Sequence, residues 1–199
     1  MARKWKLLCA VLALIMALSG CSEKEPSAAE PVTTTQQPEL QPYSLSLGSK
    51  IPDLTLTTAQ GETMQIYELL QQKKMVMLNF WFADCIWCIR EFPVMEVAYQ
   101  KYKQDLEIIA LSPYDSKEAI VAFKQEHSLS FPMGQSSRDL VLGFGIGSYP
   151  TSVVIDREGR ICLIHSGAIT ETRVFDQLFQ TFIADDYTPR VYHSINDLL

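Results

Sequence analysis

The chain has 199 residues, of which 47% are hydrophobic and 10% aromatic, enough for one ordinary domain with a packed core. Its formal net charge is -6 and it has no basic cluster, which argues against binding nucleic acid or anionic lipid through charge. Its five cysteines make the redox compartment decisive, because disulfides persist only in oxidising surroundings.

The first twenty residues have the form of an export signal. Three basic residues precede an apolar stretch, residues 7–18, that is too short for a comfortable membrane span. The sequence Leu18-Ser19-Gly20-Cys21 resembles the bacterial lipobox, whose cysteine is acylated and becomes the mature N-terminus. An uncleaved anchor helix, or a signal peptide with a chance cysteine, is the alternative. We expect residues 1–20 to be a lipoprotein signal peptide and Cys21 to be lipidated.

The next segment, residues 21–46, is rich in Ser, Glu, Pro, Thr and Gln and shows no apolar periodicity. Such a composition cannot bury enough surface to offset its ordering entropy, so we expect a flexible linker. Removing residues 1–20 takes away three of the 17 basic residues and none of the 23 acidic ones, which leaves a charge of -9. The expected attachment to the membrane is therefore the lipid, with one domain over residues 47–185 and a C-terminal tail over residues 186–199.

The first elements of the domain are short. Residues 54–57 alternate apolar and polar, residues 60–62 form a turn, and residues 63–65 are again extended, which predicts a hairpin. A short helix is predicted over residues 67–72. We expect this hairpin to be an N-terminal extension rather than the centre of the sheet.

The middle of the chain predicts a βαβ unit. Residues 75–82 are nearly all apolar, as in a strand covered on both faces, and a helical pattern follows over residues 85–103 with an interruption at Pro93. A second buried strand is predicted over residues 106–111, and then a helix over residues 116–126 whose serine caps it. This order predicts parallel strands joined by a right-handed crossover.

The last third of the chain adds an antiparallel hairpin. In order, we predict a short helix at residues 137–142, a glycine-rich segment at 143–147, a strand at 151–155, a turn at 156–159, a strand at 161–166 and a helix at 170–183. The fold class is therefore α/β, with a mixed central β-sheet flanked by helices on both faces and the N-terminal β-hairpin as an extension.

The cysteines of Cys85-Ile86-Trp87-Cys88 follow the predicted central strand, at the start of a helix. The positive end of a helix favours a thiolate, so this layout is typical of a thiol-disulfide redox site. A structural bridge or half of a zinc site is the alternative. Zinc needs two more ligands, and the chain offers only Cys162 and three scattered histidines. We expect neither a metal nor a cofactor, and we expect Cys162 to act as a buried small hydrophobe rather than as a regulatory thiol.

Two segments carry a family resemblance. Residues 80–93, Phe-Trp-Phe-Ala-Asp-Cys-Ile-Trp-Cys-Ile-Arg-Glu-Phe-Pro, resemble the active-site segment of TlpA/ResA-type thioredoxin-like lipoproteins and secreted thiol-disulfide oxidoreductases. Residues 147–151, Gly-Ser-Tyr-Pro-Thr, are similar to the second signature of that family. The resemblance spans residues 47–183 and implies a thioredoxin-like fold of the redoxin superfamily.

Several site residues follow from the helix start and from this resemblance. We expect Cys85 to be the nucleophile and Cys88 the resolving thiol. The resemblance implies that Glu91 lies beside the active site, where it exchanges a proton with Cys88, and that Pro150 is cis beside the cysteines. Three residues are expected to contact the substrate: Trp87, Tyr149 and Pro150.

This chain also departs from the family pattern. Asp84 precedes the first cysteine and opposes a thiolate there, and the bulky Trp87 stands where proline is common. Redox potentials in this fold range from about -270 to about -120 mV, so residues at these places affect the direction of electron flow.

The sequence therefore predicts a lipid-anchored thiol-disulfide oxidoreductase on the extracytoplasmic face of the bacterial cell membrane. The family resemblance implies that its substrates are disulfides of exported proteins, in cytochrome c maturation or in general redox homeostasis, and that a membrane thiol carrier recycles it. We expect a monomer. A peroxiredoxin-type thiol peroxidase is one alternative, although residues 81–84 lack the proline and threonine of the peroxidase motif. A copper metallochaperone is the other, although no nearby histidine is evident.

Overall fold

The structure is a computed structural model that describes residues 45–199, so the predicted signal peptide, Cys21 and nearly all of the linker lie outside the described residues. The helices and strands, in chain order, are β1 Thr55–Thr57, β2 Thr63–Gln65, α1 Ile66–Gln72, β3 Met75–Phe80, α2 Ile86–Tyr102, β4 Leu106–Ser112, α3 Lys117–Glu126, β5 Met133–Gln135, α4 Arg138–Gly143, β6 Thr151–Asp156, β7 Ile161–Ser166, α5 Thr172–Ile183 and a 3-10 helix at Ile195–Leu198. Within residues 45–199, no helix has the length and apolar character to cross a bilayer.

The central sheet has five strands in the order β5-β4-β3-β6-β7. Strand β3 lies in the middle and all six of its residues are buried. It pairs in parallel with β4 and antiparallel with β6, so the sheet is mixed. This arrangement confirms the predicted fold class.

Helices cover both faces of the sheet because successive residues of β3 point to opposite sides. Met75 and Met77 belong to a cluster formed with α2, α3 and α5. Val76, Leu78 and Phe80 belong to a second cluster, formed with α1 and α4. The nearly continuous apolar run of β3 thus serves two cores, one on each face.

The N-terminal hairpin forms as predicted, with β1 antiparallel to β2. It docks on the free edge of β5, where Ala59 N donates to Met133 O at 2.8 Å and Thr58 bridges Gly134. A Cβ atom at residue 134 would lie 2.4 Å from Thr57 O, so this close approach requires glycine. The sequence prediction missed strand β5.

Helix α2 differs from its prediction in one respect. It runs as one element of 17 residues with Pro93 inside it, so the expected interruption is wrong. Proline removes one backbone donor from a helix, but the flanking turns stay fixed where their side chains are buried. Phe92 and Met95, on either side of Pro93, are both fully buried in the core.

The C-terminal segment packs on the domain. Helix α5 buries an apolar stripe that includes Phe175, Phe179 and Phe182. Beyond it, Tyr192 and Leu198 are buried in the same cluster, and Tyr192 N donates to Cys162 O at 2.8 Å. The tail is thus tied to β7 as well as to α5.

Candidate active site

Four segments of the chain meet at one end of the central sheet. Phe80, the last residue of β3, pairs with Leu111 of the parallel strand β4 and with Thr151, the first residue of β6. The loops that follow β3 and β4, the loop that precedes β6 and the loop that follows β7 therefore share one edge. Carboxyl ends of parallel strands are where sites in open α/β sheets usually lie.

The two cysteines lie at the start of α2 and form a disulfide, with Cα atoms 5.2 Å apart. Cys85 is the N-cap residue, and its sulfur accepts a hydrogen bond from Cys88 N at 3.2 Å. Cys85 is 5% exposed, whereas Cys88 is 0% exposed. An incoming sulfur atom therefore has a route to Cys85 only, and the unpaired N–H groups of the first helical turn favour negative charge there.

Glu91 lies three residues after Cys88 and is fully buried. Its Oε1 accepts a hydrogen bond from Ile169 N at 3.0 Å, and its Oε2 accepts one from Asn79 Nδ2 at 3.1 Å. Burial raises the pKa of this carboxyl to about 7, and the two hydrogen bonds oppose the rise. Glu91 can therefore gain or lose a proton near neutral pH, one helical turn from Cys88.

Asn79 is a site residue that the sequence prediction missed. It is the second-last residue of β3 and is buried, and its Nδ2 also donates to Ser152 Oγ at 3.0 Å. Its Oδ1 accepts no hydrogen bond from the described protein groups. A single amide in a strand that is otherwise entirely apolar was the signal that could have identified it.

The loop before β6 brings Pro150 to the same edge. The Tyr149–Pro150 peptide bond is cis, the geometry that the family resemblance implied. Pro150 O accepts a hydrogen bond from Gly167 N at 2.9 Å, which extends the β6–β7 ladder by one residue. The Tyr149 ring stands edge-on to Phe82, in the loop that leads to the cysteines, with centroids 5.4 Å apart.

Aromatic side chains cluster in the loops at the end of the sheet that holds the cysteines, and we call this cluster the aromatic rim. Phe82, Tyr114 and Tyr149 contact one another edge to face, with centroid distances of 5.4 to 5.7 Å. Tyr114 is 69% exposed and was not predicted as a site residue. Trp87 is 52% exposed, and the guanidinium of Arg90 lies 4.8 Å from its ring centre. These side chains offer an apolar surface beside the accessible sulfur.

A hydrogen bond ties the loop between β3 and α2 to the loop that follows β4. Asp115 Oδ2 accepts hydrogen bonds from Ala83 N at 2.9 Å and from Ser112 Oγ at 2.6 Å. Asp84 is exposed on the same loop. Sequence patterns gave no sign of Asp115, because its partner Ala83 lies 32 positions away.

Cys162 lies away from this site. Cys162 Sγ donates a hydrogen bond to Asp156 Oδ2 at 3.1 Å. Asp156 pairs with Met75, at the end of β3 opposite to the cysteine pair. Burial raises the pKa of the Cys162 thiol to about 12. Within residues 45–199, no three His, Cys, Asp or Glu side chains are grouped so as to hold a metal ion.

Comparison with known proteins agrees with this geometry. The sequence model of the AhpC/TSA family matches residues 47–164. Thiol-disulfide oxidoreductase ResA of Halalkalibacterium halodurans is 34% identical over 129 residues, 64% of this chain and 72% of that protein. ResA of Bacillus subtilis is 31% identical over 137 residues, 68% of this chain and 75% of that protein.

Among solved structures, a thiol:disulfide interchange protein of the thioredoxin family from Chlorobium tepidum aligns with a TM-score of 0.63. The alignment covers 70% of this chain and 99% of that protein at 18% identity, which shows the fold alone. Since the family match covers more than half of the chain and two ResA proteins exceed 30% identity, the chain belongs to the AhpC/TSA family and is a ResA-like thioredoxin-fold thiol-disulfide oxidoreductase.

Proposed function

We propose that this oxidoreductase reduces disulfides of exported proteins on the extracytoplasmic face of the membrane, in cytochrome c maturation or in general redox homeostasis. The observation that carries the proposal is the difference in access within the disulfide. Cys85 reaches the surface at the N-cap of α2, while Cys88 is fully buried beneath it. A reductase needs this difference in access, because one sulfur must attack the substrate disulfide while the other resolves the mixed disulfide afterwards.

In the proposed reaction the Cys85 thiolate attacks a substrate disulfide, forms a mixed disulfide and releases the first substrate thiolate, which takes a proton from water. The Cys88 thiolate then attacks the Cys85 sulfur and releases the second substrate thiolate. The substrate gains two electrons, and the enzyme loses two as the Cys85–Cys88 disulfide forms. A membrane protein that carries a dithiol returns the two electrons.

Glu91 is proposed to move the proton of Cys88. Its carboxylate takes the proton when Cys88 must attack, and its carboxyl returns the proton when the disulfide is reopened. A pKa of about 7 suits both steps at neutral pH. Because Glu91 is buried, solvent does not compete directly for this proton.

The substrate is proposed to bind across the aromatic rim. In this proposal Trp87 and Tyr149 offer apolar contacts to the substrate, and the backbone before Pro150 offers hydrogen bonds to an extended segment. Tyr114 is added to this surface because its ring contacts Tyr149 and is largely exposed. An exported protein with an apolar residue beside its disulfide fits this surface best.

The membrane location is proposed to come from lipidation of Cys21. The test is partition of the full chain between detergent and aqueous phases after expression in a bacterium. The wild-type chain is expected in the detergent phase, and Cys21→Ala in the aqueous phase or retained as a longer precursor. Equal partition of both chains at the same mature length contradicts the proposed anchor.

The redox activity is tested with Cys88→Ser in cells. This variant is expected to trap mixed disulfides with exported proteins that disappear on reduction, whereas the control Cys85→Ser, Cys88→Ser traps none. A Cys85–Cys88 reduction potential near that of thioredoxin, about -270 mV, supports a reductant, and one near about -120 mV overturns it. Peroxide turnover equal to disulfide turnover, or bound copper without reductase activity, would favour the alternative functions.

A further inference from the structure

We propose that Asn79 is a positioning residue for the proton exchange: its Nδ2 holds the Glu91 carboxylate in ionised form within the core and ties it to β6. The inference rests on the proposed function, since it concerns the proton that Glu91 exchanges with Cys88. The Asn79 side chain donates hydrogen bonds to Glu91 and Ser152 and, within residues 45–199, to neither cysteine, so it acts through Glu91.

The geometry fixes the amide in place. Asn79 pairs with Ser152 across strands β3 and β6, and its Nδ2 donates one hydrogen to Ser152 Oγ at 3.0 Å. The other hydrogen goes to Glu91 Oε2 at 3.1 Å. Both amide hydrogens are used, and all three side chains are buried. The amide therefore cannot turn away from Glu91 without losing both hydrogen bonds.

The contact distinguishes the two protonation states of Glu91. Nδ2 is a donor only, so it bonds to a carboxylate oxygen but not to an oxygen that carries a proton pointing at it. Hydrogen bonds to a charged group are stronger than neutral ones, and they favour the charged form. Asn79 thus opposes the effect of burial, which favours the protonated carboxyl.

The groups around Glu91 leave little else to stabilise its charge. From β3 it meets the Asn79 amide, with Ser152 of β6 behind it, and from the loop before α5 it meets Ile169 N at 3.0 Å. On its own helix the titratable group one turn away is Cys88. No ion pair involves Glu91 within residues 45–199. Of its two hydrogen-bond donors, only Asn79 is a side chain that a substitution removes.

The experiment measures the titration of Glu91 directly. In the oxidised protein, carbon-detected NMR of labelled glutamate carboxyls follows Glu91, assigned with Glu91→Gln. Asn79→Leu, which keeps a similar volume without a donor, is expected to raise the midpoint by about 1–2 pH units, the value of one charged hydrogen bond. Asn79→Val, which also lacks a donor but is smaller, is expected to raise it too, because the same hydrogen bond to the carboxylate is lost.

A second readout joins the titration to the chemistry. In the reduced protein, the pH dependence of disulfide turnover is expected to shift upward in Asn79→Leu. In the Glu91→Gln background the same substitution is expected to leave the profile where Glu91→Gln puts it. A structural role of Asn79 alone would lower stability in both backgrounds without moving either profile.

The outcomes distinguish the proposed role of Asn79 from the proposed proton exchange between Glu91 and Cys88. A Glu91 midpoint that stays at the wild-type value in both Asn79 variants overturns the role of Asn79. A pH profile that Glu91→Gln does not change overturns instead the proposed role of Glu91. Because Asn79→Leu and Asn79→Val fill the core differently, failure of one to fold leaves the other to decide.

Discussion

Two buried pairs of a cysteine and a carboxylate lie at opposite ends of strands β3 and β6. Cys88 and Glu91 lie at the end where Phe80 pairs with Thr151, and Cys162 and Asp156 lie at the end where Met75 pairs with Asp156. The residue types are alike, but the surroundings differ. The first pair adjoins a helix start with an accessible cysteine, and the second pair is enclosed.

The two carboxylates differ in the number of hydrogen bonds that they accept. Asp156 accepts four, from Glu158 N, Arg160 N, Cys162 Sγ and Tyr187 Oη. Glu91 accepts two, and burial raises its pKa to about 7. A carboxylate with every lone pair used holds structure together, whereas one with few donors in an apolar core is ready to exchange a proton.

The thiols differ in the same way. Burial raises the pKa of Cys162 to about 12, so it stays protonated and unreactive at neutral pH. Cys88 is just as buried, but its partner Cys85 caps a helix and reaches the surface. Reactivity in this fold therefore comes from the helix start and from a partner that keeps slight contact with solvent, not from burial of a thiol.

The largest expected effect separates the two cysteine sites. Cys85→Ser is expected to reduce disulfide turnover to the background rate, because the other cysteines within residues 45–199, Cys88 and Cys162, are fully buried. Cys162→Ser is expected to keep turnover near the wild-type rate, since residue 162 lies at the far end of the sheet. Reduction of a soluble protein disulfide by the exogenously reduced domain measures both. Loss of turnover in a folded Cys162→Ser protein would break the comparison.

Next in size is the effect of Asp156→Ala on stability. The substitution removes the acceptor of one buried and three partly buried hydrogen bonds, and at about 1 kcal/mol each their loss lowers the free energy of unfolding by about 3–4 kcal/mol. Urea denaturation of the oxidised domain measures this loss. Turnover per folded molecule should not change. A small loss of stability would show that Asp156 is not the structural carboxylate that its contacts describe.

The third prediction concerns the pH dependence that Glu91 imposes on stability. Its folded pKa of about 7 lies above the ordinary 4.5, so between these values the folded protein holds a proton that the unfolded chain has released. The free energy of unfolding therefore falls as pH rises from 4.5 to about 7, by about 3 kcal/mol at roughly 1.4 kcal/mol per pH unit.

The control is Glu91→Gln, which cannot titrate. In the oxidised protein, where Cys85 and Cys88 cannot titrate either, the difference in unfolding free energy between wild type and Glu91→Gln should follow this pH course. A difference that does not vary between pH 4.5 and 7 would place Glu91 with Asp156, as a structural acid.

Local patterns were sufficient to predict most of the fold. Strand β3 follows from an apolar run, and α3 begins where a serine was expected to cap it, since Ser116 accepts a hydrogen bond from Ala119 N. Ser137 caps α4 in the same way, by accepting a hydrogen bond from Leu140 N, although the sequence analysis named no cap there. Strand β5 was missed because its three residues include Gly134 and follow Pro132. It exists through pairing with β4 and with the docked hairpin, which no short window of sequence contains.

In the candidate site, too, the residues with local sequence signals were predicted and those with distant partners were missed. The spacing of Cys85 and Cys88 pointed to the redox pair, because one helical turn holds both. Asn79 was missed because its partners lie 12 and 73 positions away, and Tyr114 because its ring meets Tyr149 in the loop before β6. Residues that act on a site through partners distant in the chain become visible only when the sheet register is known.

The smallest expected effect concerns the pair Cys162 and Asp156, which Tyr187 of the C-terminal tail contacts. Tyr187→Phe removes the hydroxyl that donates to Asp156 Oδ2 at 3.1 Å but keeps the ring, which packs on Phe182 and under Arg157. The free energy of unfolding is expected to fall by about 1 kcal/mol, the value of one hydrogen bond. In the Asp156→Ala background the same change should cost almost nothing, since the acceptor is gone. An equal cost in both backgrounds would show that Tyr187 stabilises the tail without Asp156.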